Sequence, residues 1–506
     1  MPWNKHATAL AALVLAGAVL SGCSGDSDGD GGTGQAALTA FYHQKITWRA
    51  CPAKDTKVAA PGDQEFTCAT IKVPLDYAHP QNATIRLALN RLPAKNAAAR
   101  IGSLLTNPGG PGESGLEFAY QATDYFSPQM RERYDIIGMD PRGVGNSTRV
   151  RCPSGQELER LARKPGVEKA FAESCASRSG RLLDFVGTDN AARDLDVVRS
   201  VLGERKLNYY GASYGTLLGQ FYAAEFPHSV GRMVLDSVVD PTVWPSDSAG
   251  QAVAYDTALQ IFVQSCLDKG GCVLGTERAA VIKKIADLTV QLDENPLDLG
   301  AGSELTGGEL TDVLRGAMYE EEAWPRLEKA LAGLFVRNAR PMAELLDSSR
   351  RGEDEADNGA GTTAIRCLHL RPEERTAAAS RQAAQEAVKK APLFGAVAAA
   401  EREVCHYWPA ASLANAGRAI AAEGSPTILL VHNTYDGATP IQWARSVEGQ
   451  LSKARLVTNT SGGHGFYTMG RCTKETVDRF LLHGTLPARD ATCHDRAPGV
   501  AVPSHR

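Results

Sequence analysis

The sequence predicts an α/β protein built on a mostly parallel sheet and interrupted by a helical insertion. Three observations carry this. Apolar runs of strand length alternate with amphipathic helices from Ile101 to Val239, the rhythm of a parallel sheet. That rhythm stops between residues 242 and 400, where the chain reads almost wholly helical and Ala-rich, and it returns at Pro426. Between one strand and one helix stands Leu207 to Leu218, LNYYGASYGTLL, in which Gly211 and Gly215 bracket Ser213.

The chain has 506 residues, 43% hydrophobic and 22% charged, enough for a large core and one sizeable insertion. A formal charge of −4, with no dense Lys/Arg run, argues against a nucleic-acid partner. Residues 1–22 read as a signal peptide: Lys5 and His6 precede an apolar stretch, Ala7 to Leu20, too short to span a bilayer comfortably. Leu20-Ser-Gly-Cys23 looks like a lipobox, which would make Cys23 the lipidated mature N-terminus and hold the protein on the outer face of the membrane. The alternative is an ordinary secretory signal. Residues 23–37, rich in Gly, Ser and Asp, read as a flexible tether.

Eleven cysteines minus Cys23 leave ten, an even count that suits disulfides in an exported chain. Pairing neighbours along the chain gives Cys51–Cys68, Cys152–Cys175, Cys266–Cys272, Cys367–Cys405 and Cys472–Cys493, the arrangement expected here. No C-x-x-C or H-E-x-x-H spacing occurs, so neither a metal nor another cofactor is expected.

Residues 38–241 form the first part of the expected sheet domain. Thr67 to Pro74 and Thr84 to Asn90 alternate as antiparallel entry strands should. Ile101 to Thr106 is a buried strand ending in the loop Asn107 to Gly115, NPGGPGESG, which lacks the G-K-[ST] of a phosphate-binding loop. Tyr134 to Ser147 is the next strand and loop, and there Asp140 and Arg142 are expected to pair with each other. Thr188 to Leu202 is an amphipathic helix with Thr188 or Asp189 as its N-cap. Residues 242–400 would roof the site as a helical cap, and 401–506 would complete the sheet domain.

A G-x-S-x-G turn between strand and helix is a nucleophile elbow. Its glycines permit a tight turn that aims Ser213 Oγ outward, with the Tyr214 N–H beside it. The loop after the earlier strand brings a second N–H, assigned to Gly110. Serine needs a base, and His464 in Ser461-Gly-Gly-His-Gly465 has the right chemistry. Asp436, ending the strand Pro426 to Tyr435, would orient that imidazole. Ser213, Asp436 and His464 occur in the α/β-hydrolase order, so the fold expected is an α/β-hydrolase with an inserted cap. The three side chains are expected to meet in one hydrogen-bonded relay. His432, inside a strand, reads as core, and Asp236 comes too early in the chain for the usual acid.

The motifs NPGGPG, GMDPRGVGNS, GASYGT, LLVHNTYDGATP and SGGHG together resemble the tripeptidyl-aminopeptidase branch of the prolyl-aminopeptidase serine peptidases, from about residue 38 to 500. The resemblance implies a triad of Ser213, Asp436 and His464, oxyanion donors at Gly110 and Tyr214, and release of short peptides from free N-termini through an acyl-enzyme. Some relatives act as carboxylesterases, the alternative reading here. This chain departs from the pattern at Glu113, where a small residue is usual, and at His369, where relatives carry aspartate.

Recognition of a cationic α-amine calls for a carboxylate near the site. Glu113, Glu320, Glu321 and Glu322 are the candidates; the plainer reading of the last three is a solvated acidic cluster at a helix start. A hydrolase-like binding lipoprotein without turnover is the third possibility.

Overall fold

A computed structural model describes residues 31–52, 66–162, 165–300, 303–353, 359–400 and 402–495. The signal segment and Cys23 lie outside these residues.

Strands β1 (Arg49–Ala50), β2 (Thr67–Pro74), β3 (Thr84–Leu92), β4 (Gly102–Asn107), β5 (Tyr134–Met139), β6 (Leu207–Ala212) and β7 (Val230–Asp236) precede the insertion. A hairpin, β8 (Leu297–Gly300) and β9 (Ser303–Leu305), lies within it, and β10 (Ile428–Tyr435), β11 (Ala454–Gly462) and β12 (Thr492–Cys493) follow. Ten strands form one sheet in the order β1-β2-β3-β5-β4-β6-β7-β10-β11-β12. β1, β2 and β3 pair antiparallel and β3 meets β5 antiparallel; every pairing from β5 to β12 is parallel.

Every residue of β4 and β5 is buried, as expected of strands covered on both faces. Successive side chains enter opposite cores. Leu105, Tyr209, Leu235 and Leu430 belong to one apolar layer, and Leu104, Tyr210, Val234 and Leu429 to the other.

The insertion builds a third core around helices 248–268, 278–294, 307–317 and 324–335. Two differences from expectation stand out. The insertion is not wholly helical, since it holds the β8–β9 hairpin. Helix 359–369 packs through Ala364, Ile365 and Leu368 into the sheet's own core, while Tyr435 and Ala438 of the β10 region pack into the cap. Cap and sheet therefore share side chains across their border.

All five neighbour-to-neighbour disulfides are present. A helix, Gly31–Tyr42, occupies the end of the expected tether, and its Phe41 and Tyr42 pack on the sheet domain.

The expected Asp140–Arg142 pair does not form. Arg142 makes a two-pronged contact with Asp194, 2.7 Å on each side, and both side chains are fully buried. Asp140 instead accepts from the Ser114 hydroxyl and from the Leu116 and Asn146 N–H groups, holding the Gly-rich loop against β5. The helix expected to be capped by Thr188 or Asp189 has Gly187 at that position. Thr188 is engaged elsewhere: its hydroxyl lies 2.7 Å from the Tyr214 hydroxyl and 2.6 Å from His369 Nε2. His369 is buried among Trp244 and Phe221, and burial pushes it down to about 3, so it is neutral.

Candidate active site

Ser213 follows β6 and precedes helix 214–225, with φ 53° and ψ −125°, a conformation costly for any residue with a side chain. The neighbouring glycines make it possible. A Cβ on Gly211 would stand 2.5 Å from the Gly215 carbonyl oxygen, and one on Gly215 would stand 2.7 Å from that of Asn107. The Ser213 N–H donates to the Asp236 carbonyl at 2.9 Å, fixing the turn to the end of β7. As the first residue of the following helix, Tyr214 contributes one of its unpaired N-terminal N–H groups.

The Gly-rich loop after β4 packs directly on this elbow. Gly109 has φ 113°, and a Cβ there would meet Ala212 O and Ser213 Cβ at 2.7 Å. Gly110, Ser213 and Tyr214 line one small cavity of about 60 Å³ beneath the cap.

His464 Nδ1 lies 2.8 Å from Asp436 Oδ2. Asp436 is buried, and its other contacts keep it aimed: Ala438 N–H and Thr439 N–H donate to Oδ1 at 2.8 and 2.9 Å, and the Thr439 hydroxyl donates to Oδ2 at 2.8 Å. Burial pushes this carboxyl up, but His464 and these donors outweigh it and hold it below the usual range. His432 braces the same loop, accepting from Val238 N–H at Nδ1 and donating from Nε2 to Thr439 O at 2.8 Å. Burial pushes the His464 imidazole down, yet Asp436 foremost, then Asp236 and Glu113, raise it above the ordinary value. His464 Nε2 is buried and makes no hydrogen bond among the described residues. The expected relay is thus formed in its acid–base half, and Ser213 Oγ is not hydrogen-bonded to the ring in this conformation. Contacts of this kind tighten when substrate arrives.

Sequence reasoning passed over Asp236. Its carboxylate accepts from Phe466 N–H at 2.7 Å, Tyr467 N–H at 3.0 Å and the Tyr210 hydroxyl at 2.5 Å, while Ser237 Oγ accepts from Gly465 N–H at 2.9 Å. Burial raises this carboxyl above the usual range, and the donors offset only part of that. One residue therefore ties the nucleophile turn, through its carbonyl, to the histidine loop, through its side chain. Asp236→Asn, which turns an amide donor toward these N–H groups, is expected to slow turnover by roughly tenfold to a hundredfold, the scale of a small misplacement of reacting groups. It also removes a negative neighbour of the imidazole, so the acid limb of the pH–rate profile shifts to lower pH. An unchanged limb would restrict Asp236 to a structural part.

The cap holds the histidine loop as well. His464 N–H donates to Tyr319 O at 2.8 Å, and the Tyr319 ring sits edge-on to the imidazole at 5.0 Å. Gly462 N–H donates to Glu321 Oε1 at 2.7 Å. Of the candidate amine ligands, Glu321 is buried and committed to this backbone contact, and Glu320 and Glu322 are exposed on the cap. Glu113 stands beside Gly110 and is exposed, close enough to influence His464; its surroundings raise its carboxyl above the usual range, more than His464 lowers it.

The fold and the strained serine turn are those of an α/β serine hydrolase. The family described as TAP-like protein matches residues 391–493. The chain is 32% identical to the tripeptidyl aminopeptidase of Streptomyces lividans, covering 89% of this chain and 87% of that one. It is 31% identical to the serine protease Hip1 of Mycobacterium tuberculosis, over 89% and 91% of the two chains. It is also 31% identical to carboxylesterase B of Mycobacterium tuberculosis, over 96% of each. The protein belongs to this tripeptidyl-aminopeptidase-like family of α/β-hydrolases.

Proposed function

We propose that the protein is a serine exopeptidase that removes short peptides, tripeptides foremost, from free N-termini. The observation that carries this is the Asp436–His464 bond beside a strained Ser213 whose turn, with Gly110 and Tyr214, opens on one cavity. Ser213 Oγ attacks the peptide carbonyl carbon while His464 Nε2 takes its proton. The oxyanion is held by the N–H groups of Gly110 and Tyr214. Its collapse breaks the C–N bond, the shortened peptide leaves with the proton from Nε2, and water activated by His464 frees the acyl product. In this closed state the cavity is about 60 Å³. Ordinary ligand sites hold roughly 300–1,000 Å³, so a peptide enters only when the cap moves.

Glu113 is our candidate for the substrate amine, with Glu320 and Glu322 as cap alternatives. Three extended residues span roughly 10 Å. An amine bound at Glu113, next to Gly110, would therefore suit a shorter product than one bound on the cap. Incubating one unblocked peptide and its N-acetylated twin, with products identified by mass spectrometry, tests both points. The proposal expects an N-terminal tripeptide from the free form and none from the acetylated form. Cleavage of a simple acyl ester with neither peptide cut would favour the carboxylesterase reading, which the carboxylesterase B relative supports.

The pH dependence has a definite sign. The base works only when neutral, and its imidazole is raised above the ordinary 6.5. kcat/KM should therefore fall as pH drops through a value above 6.5, while Asp436 stays ionised throughout. An acid limb centred well below that value contradicts the assignment of His464.

We also propose export and lipid anchoring through Cys23, supported by the lipobox and by five disulfides. Among the described residues no helix is long and apolar enough to cross a membrane. A clickable fatty-acid probe should label the wild type and not Cys23→Ser; equal labelling would remove the anchor.

A further inference from the structure

Helix Gly359–His369 touches both of the loops that carry the oxyanion donors. Thr362 and His369 are seven residues apart, two helical turns, so both lie on one side of the helix and about 10 Å apart along it. Near its start, the Thr362 hydroxyl donates to the carbonyl of Pro111, the residue after Gly110. Gly361 allows this close approach, since a Cβ there would stand 3.1 Å from Gly143 O and 3.8 Å from Gly112 Cα. The Gly-rich loop is anchored at one end by Asn107 Oδ1, which accepts from Gly109 N–H at 3.1 Å, and at the other by the Ser114–Asp140 contact. Thr362 meets the stretch between them, where Gly110 sits.

At the far end of the helix, His369 Nε2 lies 2.6 Å from the Thr188 hydroxyl, which lies 2.7 Å from the Tyr214 hydroxyl. Trp244 packs against both rings, 5.2 Å from His369 and 5.7 Å from Tyr214, and Trp244 and Tyr214 both line the cavity at Ser213. The helix is itself fixed, by Cys367–Cys405 and by Ala364, Ile365 and Leu368 in the sheet's core. An oxyanion hole works only when its N–H groups already stand about 2.7–3.1 Å from where the oxygen will be in the transition state. Loops keep such geometry when side chains from rigid elements pin them. We propose that helix 359–369 sets the oxyanion hole, with Thr362 positioning the Gly110 N–H and His369, through Thr188, positioning that of Tyr214. This rests on the hydrolytic step of the exopeptidase reading and names the residues that support it.

The test uses the full exported enzyme and four variants, Thr362→Val, Thr362→Ser, Thr188→Val and His369→Gln. Substrates are a tripeptidyl p-nitroanilide and a simple acyl ester. Two inhibitors are compared: a tripeptidyl trifluoromethyl ketone, whose adduct with Ser213 places an oxyanion in the hole, and the free tripeptide, which does not. Thr362→Val and Thr188→Val should each lower kcat/KM by roughly tenfold to a hundredfold, the scale of a small misplacement. Ketone binding should weaken by the same factor, as expected of a contact made in the transition state. Tripeptide binding and the acid limb of the pH–rate profile should stay near wild type. Thr362→Ser, which keeps the hydroxyl, should restore most of the rate. His369→Gln, whose amide can stand where Nε2 does, should keep more activity than Thr188→Val.

Wild-type rates and ketone affinity in both Val variants would overturn the proposal. So would tripeptide binding that weakens as much as ketone binding, or a displaced acid limb, since the effect would then lie in the fold or in His464. The ester forms the same oxyanion without peptide recognition, and it separates the two readings. A wild type that cleaves the ester and no peptide refutes the exopeptidase reading alone; Val variants that match the wild type on the ester refute the positioning role alone.

Discussion

Ser213→Ala is expected to lower kcat by about 10⁶, the loss seen when a triad nucleophile is removed elsewhere. Position 213 is held at φ 53° by a turn that has room for no other geometry, so the hydroxyl cannot be replaced by a neighbour. The neighbouring hydroxyls are already engaged, that of Thr216 with the Ser213 carbonyl at 2.6 Å and that of Tyr214 with the Thr188 hydroxyl at 2.7 Å. The N–H groups of Gly110 and Tyr214 survive the substitution, so about 10³–10⁴ of acceleration over water should remain. Alanine keeps the backbone hydrogen bond to Asp236, and thermal unfolding should stay near that of the wild type. A loss below about a hundredfold in steady-state kinetics would mean that another group attacks.

The second large effect is at Asp436. Asp436→Asn is expected to cost about 10⁴ in kcat, because the amide presents a donor to His464 Nδ1 and stabilises the wrong tautomer. The cost is chemical, since the Thr439 and Ala438 donors that aim the carboxylate can still be met by the amide oxygen. It also removes the largest influence raising the imidazole. The remaining activity should thus show an acid limb moved to lower pH. An Asn variant within tenfold of the wild type would point to Asp236 as the carboxylate that supports the base.

The nucleophile turn was legible because its logic is local: Gly211, Ser213 and Gly215 announce a steric problem solved within five residues. The same holds for the parallel sheet, whose fully apolar strands need cover on both faces, and for disulfides that close short loops. The failures share one cause, partners distant in sequence. Asp140 and Arg142 sit two residues apart and invite pairing, yet strand β5 sends Arg142 toward Asp194, 52 residues on. Asp236 looked like the end of a strand, and its value lies in N–H groups 230 and 231 residues further along. Glu321 read as one of three equivalent acids until the fold brought Gly462 to it. No periodicity encodes such meetings; they depend on how the cap closes over the sheet.

Fluorophosphonate labelling followed by peptide mapping tests the central assignment most directly. The wild type should carry one adduct on Ser213, and His464→Ala should abolish it under the same conditions. An adduct on a different serine, or undiminished labelling of Ser213 without the imidazole, would contradict the account.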